Sequence, residues 1–145
     1  MKQEDKELLL KDLCARLPYG VKCAYFNTKD EIKVGELLTV WCKEKRVFID
    51  KLSIDYDGGD CIGITPYLFP MSSMTKEQKR EYHQSTSKDI DMLQDVILER
   101  INGKDNADKH SIAYHGIDWL NAHHFDYRGL IEKGLAIDAS GLNIY

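Results

Sequence analysis

Leu37-Leu38-Thr39-Val40-Trp41-Cys42-Lys43-Glu44-Lys45-Arg46-Val47-Phe48-Ile49 is the stretch whose reading decides the fold. Its apolar residues recur with a period near two, which suits a β-strand and does not suit a helix. Leu38, Val40 and Cys42 point one way, and Leu37, Thr39 and Trp41 the other. Both sets are largely apolar, so a strand over 37–42 is expected to be covered on both faces. Glu44-Lys45 is a tight polar break. Beyond it, Arg46 to Tyr56 continues as strand, with Phe48, Leu52, Ile54 and Tyr56 on one face.

The same period extends outward. Val21-Lys22-Cys23-Ala24-Tyr25-Phe26 is a strand before the central stretch. After it, Asp57-Gly58-Gly59-Asp60 signals a hairpin, because glycines accept positive φ. Cys61 to Thr65 returns as the next strand and is expected to stop at Pro66. The sum is an antiparallel meander of three or four strands. Trp41, Tyr25, Phe26, Phe48 and Tyr56 are assigned to core and cross-strand packing.

Helical periods flank the meander. From Glu4 to Leu17, Leu9, Leu13 and Leu17 repeat every four positions, with Leu10 and Cys14 beside them. Pro18-Tyr19-Gly20 makes the turn. After a linker at 70–74, Thr75-Lys76-Glu77-Gln78 matches a capping box opening a short helix to about Gln84. Ser85-Thr86-Ser87 caps a longer helix from Lys88 to Ile101, which Asn102-Gly103 ends. Residues 104–109 form a polar loop. Helices over 117–124 and 128–133 follow, with Gly134 closing the last and Leu135-Ala136-Ile137 as a final extended piece. The expected class is α+β: an N-terminal helix, the meander, and a helical C-terminal part packed on the sheet. One domain over 1–145 is expected, divided into helix plus meander (1–70) and a mainly helical part (71–145).

Composition narrows the function. A net charge of −4 in 145 residues argues against general nucleic-acid binding, which needs a basic stripe to neutralise phosphates. No apolar run approaches the roughly 20 residues of a membrane span. Cys14, Cys23, Cys42 and Cys61 contain no C-x-x-C pair, and the charged start of the chain is not a signal peptide. Free buried thiols and a cytoplasmic setting follow.

Candidate chemistry gathers near the C-terminus. His110, His115, His123 and His124 lie close to Asp118 and Asp126. His115 and His123 share a helical face only if that helix begins before Gly116. Adjacent His123 and His124 point about 100° apart on a regular helix. No H-E-x-x-H or H-x-H spacing appears, so neither a metal nor a cofactor is expected. His124 with Asp126 is the acid-base pair that catalysis would use, but no nucleophile motif accompanies it. Asp126 also fits an N-cap for the last helix. Arg128 fits a pair with an acid, a stack on Trp119 or Tyr127, or a phosphate or carboxylate of a ligand. A ligand-binding reading therefore rests on Trp119, His123, His124, Tyr127 and Arg128. Asp55, Asp57 and Asp60 fail the calcium-loop pattern, with Asp60 and Pro66 where glycine and glutamate belong.

Two segments carry a resemblance. Pro66-Tyr67-Leu68-Phe69-Pro70-Met71-Ser72-Ser73-Met74-Thr75 resembles a PYLRPMSSMT pattern, with Phe69 in place of its arginine. Trp119 to Ala136 resembles a WLNxxHFDYRGLIxKGLA ending. Both patterns recur in small proteins of Bacteroidales bacteria, their phages and mobile elements. The family has no assigned activity, so the resemblance implies a setting and no catalytic residue. It also implies a shared C-terminal module beside a variable meander, where protein-specific function would sit. The expected function is a non-enzymatic binding or interaction protein, regulatory or counter-defence, acting on a host protein or a small anionic ligand. The alternative is a hydrolase or nuclease using the cluster from His110 to Asp126. A minor virion or assembly component is the third reading.

Overall fold

The computed structural model describes residues 2–26, 31–41, 46–49, 52–55, 64–86 and 110–145, with backbone alone over 52–55, 86 and 110–115. Helix α1 (Gln3–Arg16) passes through a 3-10 turn (Leu17–Tyr19) into strand β1 (Lys22–Phe26). Gly20 closes that turn at φ +66°, and a Cβ there would lie 3.2 Å from the Glu36 carboxylate. Glycine therefore serves both the left-handed backbone and the close strand. Strands β2 (Ile32–Trp41), β3 (Arg46–Ile49) and β4 (Leu52–Asp55) complete an antiparallel meander with β1. Strand β5 (Thr65–Pro70) adds antiparallel to β1. Helices α2 (Lys76–Thr86) and α3 (His110–Ala122) pack on each other. Two short strands, β6 (Phe125–Asp126) and β7 (Ile137–Asp138), pair parallel to β5. The chain is thus α+β, with an N-terminal helix and a four-stranded meander, extended by one antiparallel and two short parallel strands.

Several local expectations need correction. Arg46 to Tyr56 is not one strand: β3 and β4 form a hairpin in which Ile49 faces Leu52. Partners Ile49 and Leu52 differ by three positions, an odd number, so the reversal shifts the phase of the alternation that one continuous strand would keep. In consequence Val47 and Ile49, not Phe48, enter the core. Pro66 does not stop β5, because it lies where pairing with β1 ends and just before pairing with β7 begins at Tyr67. No ladder bond needs its missing N–H there.

Strand β2 is not covered on both faces. Its register shifts between Leu37 and Thr39, the mark of a β-bulge. The extra residue re-phases the strand. Leu37 is buried, Val40 packs against the core, and Leu38 and Trp41 turn outward. Last, residues 128–133 form turns and not a helix, yet their end is built as a helix end. The Gly134 amide donates to Ile131 O (3.0 Å) and the Leu135 amide to Leu130 O (2.9 Å). This is the Schellman pattern, with Gly134 at φ +69° and buried Leu130 and Leu135 meeting beneath it.

Other expectations hold. Thr75 and Gln78 form the reciprocal capping box, with bonds of 2.9 and 3.2 Å. Of the extended piece expected over 135–137, only Ile137 is strand, where β7 begins; Leu135 and Ala136 form a bend before it. The Asp57–Asp60 hairpin, the strand over 61–63, the helix from Lys88 to Ile101, the loop over 104–109, Tyr56, Cys42 and Cys61 lie outside the described residues. Cys23 is a free buried thiol, its pKa pushed up to about 12 by burial and then by the Asp12 charge. Cys14 is exposed, contrary to expectation.

The inner sheet face packs Val21, Cys23, Tyr25, Leu37, Val47 and Leu68 against Leu9 and Leu13 of α1 and against Leu130, Leu135 and Ala136. The first helix and the last turns thus share one core. A second cluster joins Tyr82, Trp119, Leu120 and Phe125. Residues from the C-terminal segment, Ala139 and Ile144, cover Ala24 and Tyr67 on the outer face.

Candidate functional site

The chemistry-rich C-terminal segment closes on α1. Helix α1 buries Leu9, Asp12, Leu13 and Arg16, so its inward stripe is rotated from the one read through Leu10 and Cys14. Two charged residues sit on that buried stripe. Arg16 Nε donates to Asp12 Oδ2 at 2.7 Å, with both side chains fully buried. Arg16 Nη2 donates to Phe125 O at 2.8 Å, tying the first helix to β6. Arg128 Nε approaches the other oxygen, Asp12 Oδ1, at 3.3 Å, as an ion pair without hydrogen-bond alignment. The Arg16 and Arg128 guanidiniums lie 5.6 and 4.8 Å from the centre of the Tyr127 ring. One carboxylate therefore serves two arginines around one tyrosine. Asp12 and Arg16 were missed in the sequence. Their signal was opposite charge at i,i+4, but that spacing is usually a solvent-facing pair.

Asp126 is committed to backbone. Its two carboxylate oxygens accept the amides of Leu130 (2.9 Å) and Ile131 (2.8 Å). That is the capping duty expected of it, performed on a turn instead of a helix.

The histidines diverge. Helix α3 does begin before Gly116, at His110, but it ends at Ala122, and His123 and His124 fall in the turn after it. His123 stacks on Trp119 with ring centres 3.9 Å apart, and its Nδ1 donates to Trp119 O at 2.9 Å. His124 adopts φ 59° and stacks on Tyr145, also at 3.9 Å. Burial, then the Arg16, His123 and Lys22 charges, lower its pKa to about 4. Asp126 is held by its amides, so no hydrogen bond among the described residues joins it to His124 as an acid-base pair. The side chains of His110 and His115 lie outside the described residues, and Asp118 is exposed. Among the described residues no three of His, Cys, Asp or Glu gather as metal ligands. Trp119 is buried between the edge of Tyr82 and the parallel ring of Phe125.

Tyr145 completes the closure. Its hydroxyl accepts from the Lys22 amide (3.1 Å) and donates to Tyr67 O (2.7 Å). Cys23 faces Pro66, so Lys22 and Tyr67 would form the next step of the β1–β5 ladder. The phenol stands in for that step. Beyond it, the Phe69 amide donates to His124 O at 2.9 Å. Successive strand residues bond to alternate edges. Hence β1 and β6 follow one another along one edge of β5, and Leu68 O, which accepts from the Ala139 amide at 2.8 Å, faces the other.

The outer face of the meander is the opposite case. Phe26 faces Ile32 and Ala24 faces Val34, on the side away from α1. Trp41 faces Arg46 and meets the Phe48 ring at 5.0 Å on that side. Ile32 is 66% exposed, Leu38 50%, Trp41 48%, Val34 47% and Phe26 42%, which makes this a sheet face and not scattered single residues. The expectation that Phe26 and Trp41 are core is thereby corrected, and the β2 bulge is the reason for Trp41. The rim holds paired charges of both signs: Lys22–Glu36 at 3.0 Å and Lys33–Glu31 at 3.3 Å.

The fold and these two regions define an α+β protein with a closed polar junction and an open apolar sheet face. No protein-family model, curated protein or solved structure matches the chain. Among the described residues, no helix is long and apolar enough to cross a membrane.

Proposed function

We propose that this chain is a non-enzymatic interaction protein of a Bacteroidales phage or mobile element, acting in the bacterial cytoplasm. Its role is regulatory or counter-defence, and its target is a host protein that docks on the outer face of β1–β3. The observation that carries the reading is the run of exposed large apolar residues from Phe26 to Trp41 on one sheet face. Contiguous apolar surface of this kind marks protein contacts. Among the described residues its rim favours a protein over a polyanion, because Lys22 is paired with Glu36 and Lys33 with Glu31. The phage or mobile-element setting is supported by the 66–75 and 119–136 segments. The hydrolase alternative gains nothing from His124 and Asp126, which are occupied by Tyr145 and by two backbone amides.

The test is to recover a host protein with the full chain, purify it, and measure its affinity for wild type, Ile32→Ser and Leu38→Ser. Each variant is expected to bind at least tenfold more weakly, about 1.4 kcal/mol, while unfolding at the wild-type temperature. Undiminished affinity in both variants would contradict the proposal.

A further inference from the structure

The junction around Tyr127 carries more hydrogen-bond donors than it uses. Arg16 is fully buried, yet its Nη1 has no partner. The Tyr127 hydroxyl is also buried without one. Burial raises its pKa against the opposing pull of Arg128 and Arg16, so the hydroxyl keeps its proton and remains a donor. The Asn121 side chain approaches that hydroxyl outside hydrogen-bond geometry. Its Oδ1 is unpartnered too, and Asn121 is 2% exposed. An amide turned by 180° would place a donor there instead. Arg128, with its side chain 26% exposed, and the half-buried Tyr127 are the members of the group that reach solvent. Against these donors stand the Asp12 carboxylate, whose Oδ2 takes Arg16 Nε at 2.7 Å and whose Oδ1 lies 3.3 Å from Arg128 Nε without a hydrogen bond, and the Asn121 Oδ1. The Phe125 carbonyl is already taken twice, by Arg16 Nη2 at 2.8 Å and by the Tyr127 amide at 3.1 Å. Buried donors left unmade are costly, and a guanidinium is matched in shape to an oxyanion.

We infer that Arg16, Tyr127, Asn121 and Arg128 form a site for one small oxyanion, a phosphate or carboxylate group, admitted past Arg128. Arg16 Nη1 and the Tyr127 hydroxyl hold its inner oxygens. Arg128 closes over it while staying beside Asp12. The site is independent of the docking face on β1–β3, so either can fail alone.

The test titrates the full chain with sodium phosphate, sodium acetate or sodium sulfate, with potassium chloride at matched ionic strength as reference. Unfolding temperature and calorimetric heat are read for wild type, Tyr127→Phe and Arg128→Lys. A saturable rise over chloride is expected for at least one oxyanion. Phosphate alone assigns a phosphate-bearing ligand, and acetate alone assigns a carboxylate. Tyr127→Phe keeps the ring under the arginines and removes only the hydroxyl, so it should fold at least as stably as wild type and bind the anion at least tenfold more weakly. Arg128→Lys should weaken binding as well, since a lysine cannot make the forked contact. No saturable rise over chloride in wild type, or an equal rise in Tyr127→Phe, overturns the site and leaves the cluster a purely structural network.

Discussion

Trp119 and Trp41, the two tryptophans of the chain, lie in opposite surroundings. Trp119 is enclosed by Tyr82, His123 and Phe125. Trp41 touches Phe48 and is half exposed. The contrast extends to their regions. The C-terminal segment holds the residues that look like chemistry, and nearly all of them are spent on closure. Asp126 caps a turn, His123 and His124 stack, and Arg128 shares Asp12 with Arg16. The meander holds ordinary strand residues, and one bulge turns Trp41 outward to join them on the open face. Reactive side-chain types are therefore poor guides to a site when the backbone around them needs donors and acceptors.

The comparison can be broken most forcefully at Asp12. Asp12→Ala strands a fully buried Arg16 and frees Arg128, and should cost about 3–5 kcal/mol in urea unfolding. A loss under about 1 kcal/mol would mean that the junction is not closed.

The next largest effect comes through pH. His124 is neutral in the fold, its pKa lowered from 6.5 to about 4. Between those values the unfolded chain binds the proton and the folded chain does not. Stability is thus fully present above about pH 6.5 and falls as pH drops towards about 4, by about 2–3 kcal/mol. His124→Asn tolerates the left-handed backbone and removes the titration. Its stability should be flatter over that window, and an unchanged slope would locate the effect elsewhere.

Asp126→Ala should cost about 2 kcal/mol, because two amides lose a charged acceptor. Asp126→Asn should cost less. Equal costs would show that the carboxylate is not shared between Leu130 and Ile131. On the open face, Ile32→Ser and Leu38→Ser should change stability by no more than about 0.5 kcal/mol. A larger loss in either would show that the face is covered.

Much of the architecture was legible because it rests on local rules. The period-two runs gave β1 and the meander, and Thr75 with Gln78 gave the start of α2. Gly134 marked the end of a turn even where the helix before it is absent. What was hidden is non-local or shifts the phase of the alternation. The hairpin between Ile49 and Leu52 and the bulge at Leu37–Thr39 each change which residues face the core and leave no mark in composition. Asp12 and Arg16 read as a surface pair until the Phe125 carbonyl, 109 residues from Arg16, is placed beside them. The candidate residues at 119–128 were identifiable by type. Their partners, Tyr145 and Asp12 above all, come from distant parts of the chain.

The contrast between a closed junction and an open face is tested most directly by acrylamide quenching of single-tryptophan variants. Trp41→Phe leaves Trp119, and Trp119→Phe leaves Trp41. Trp41 should emit to the red and quench several times more steeply than Trp119. Equal quenching, or steeper quenching of Trp119, would contradict the account.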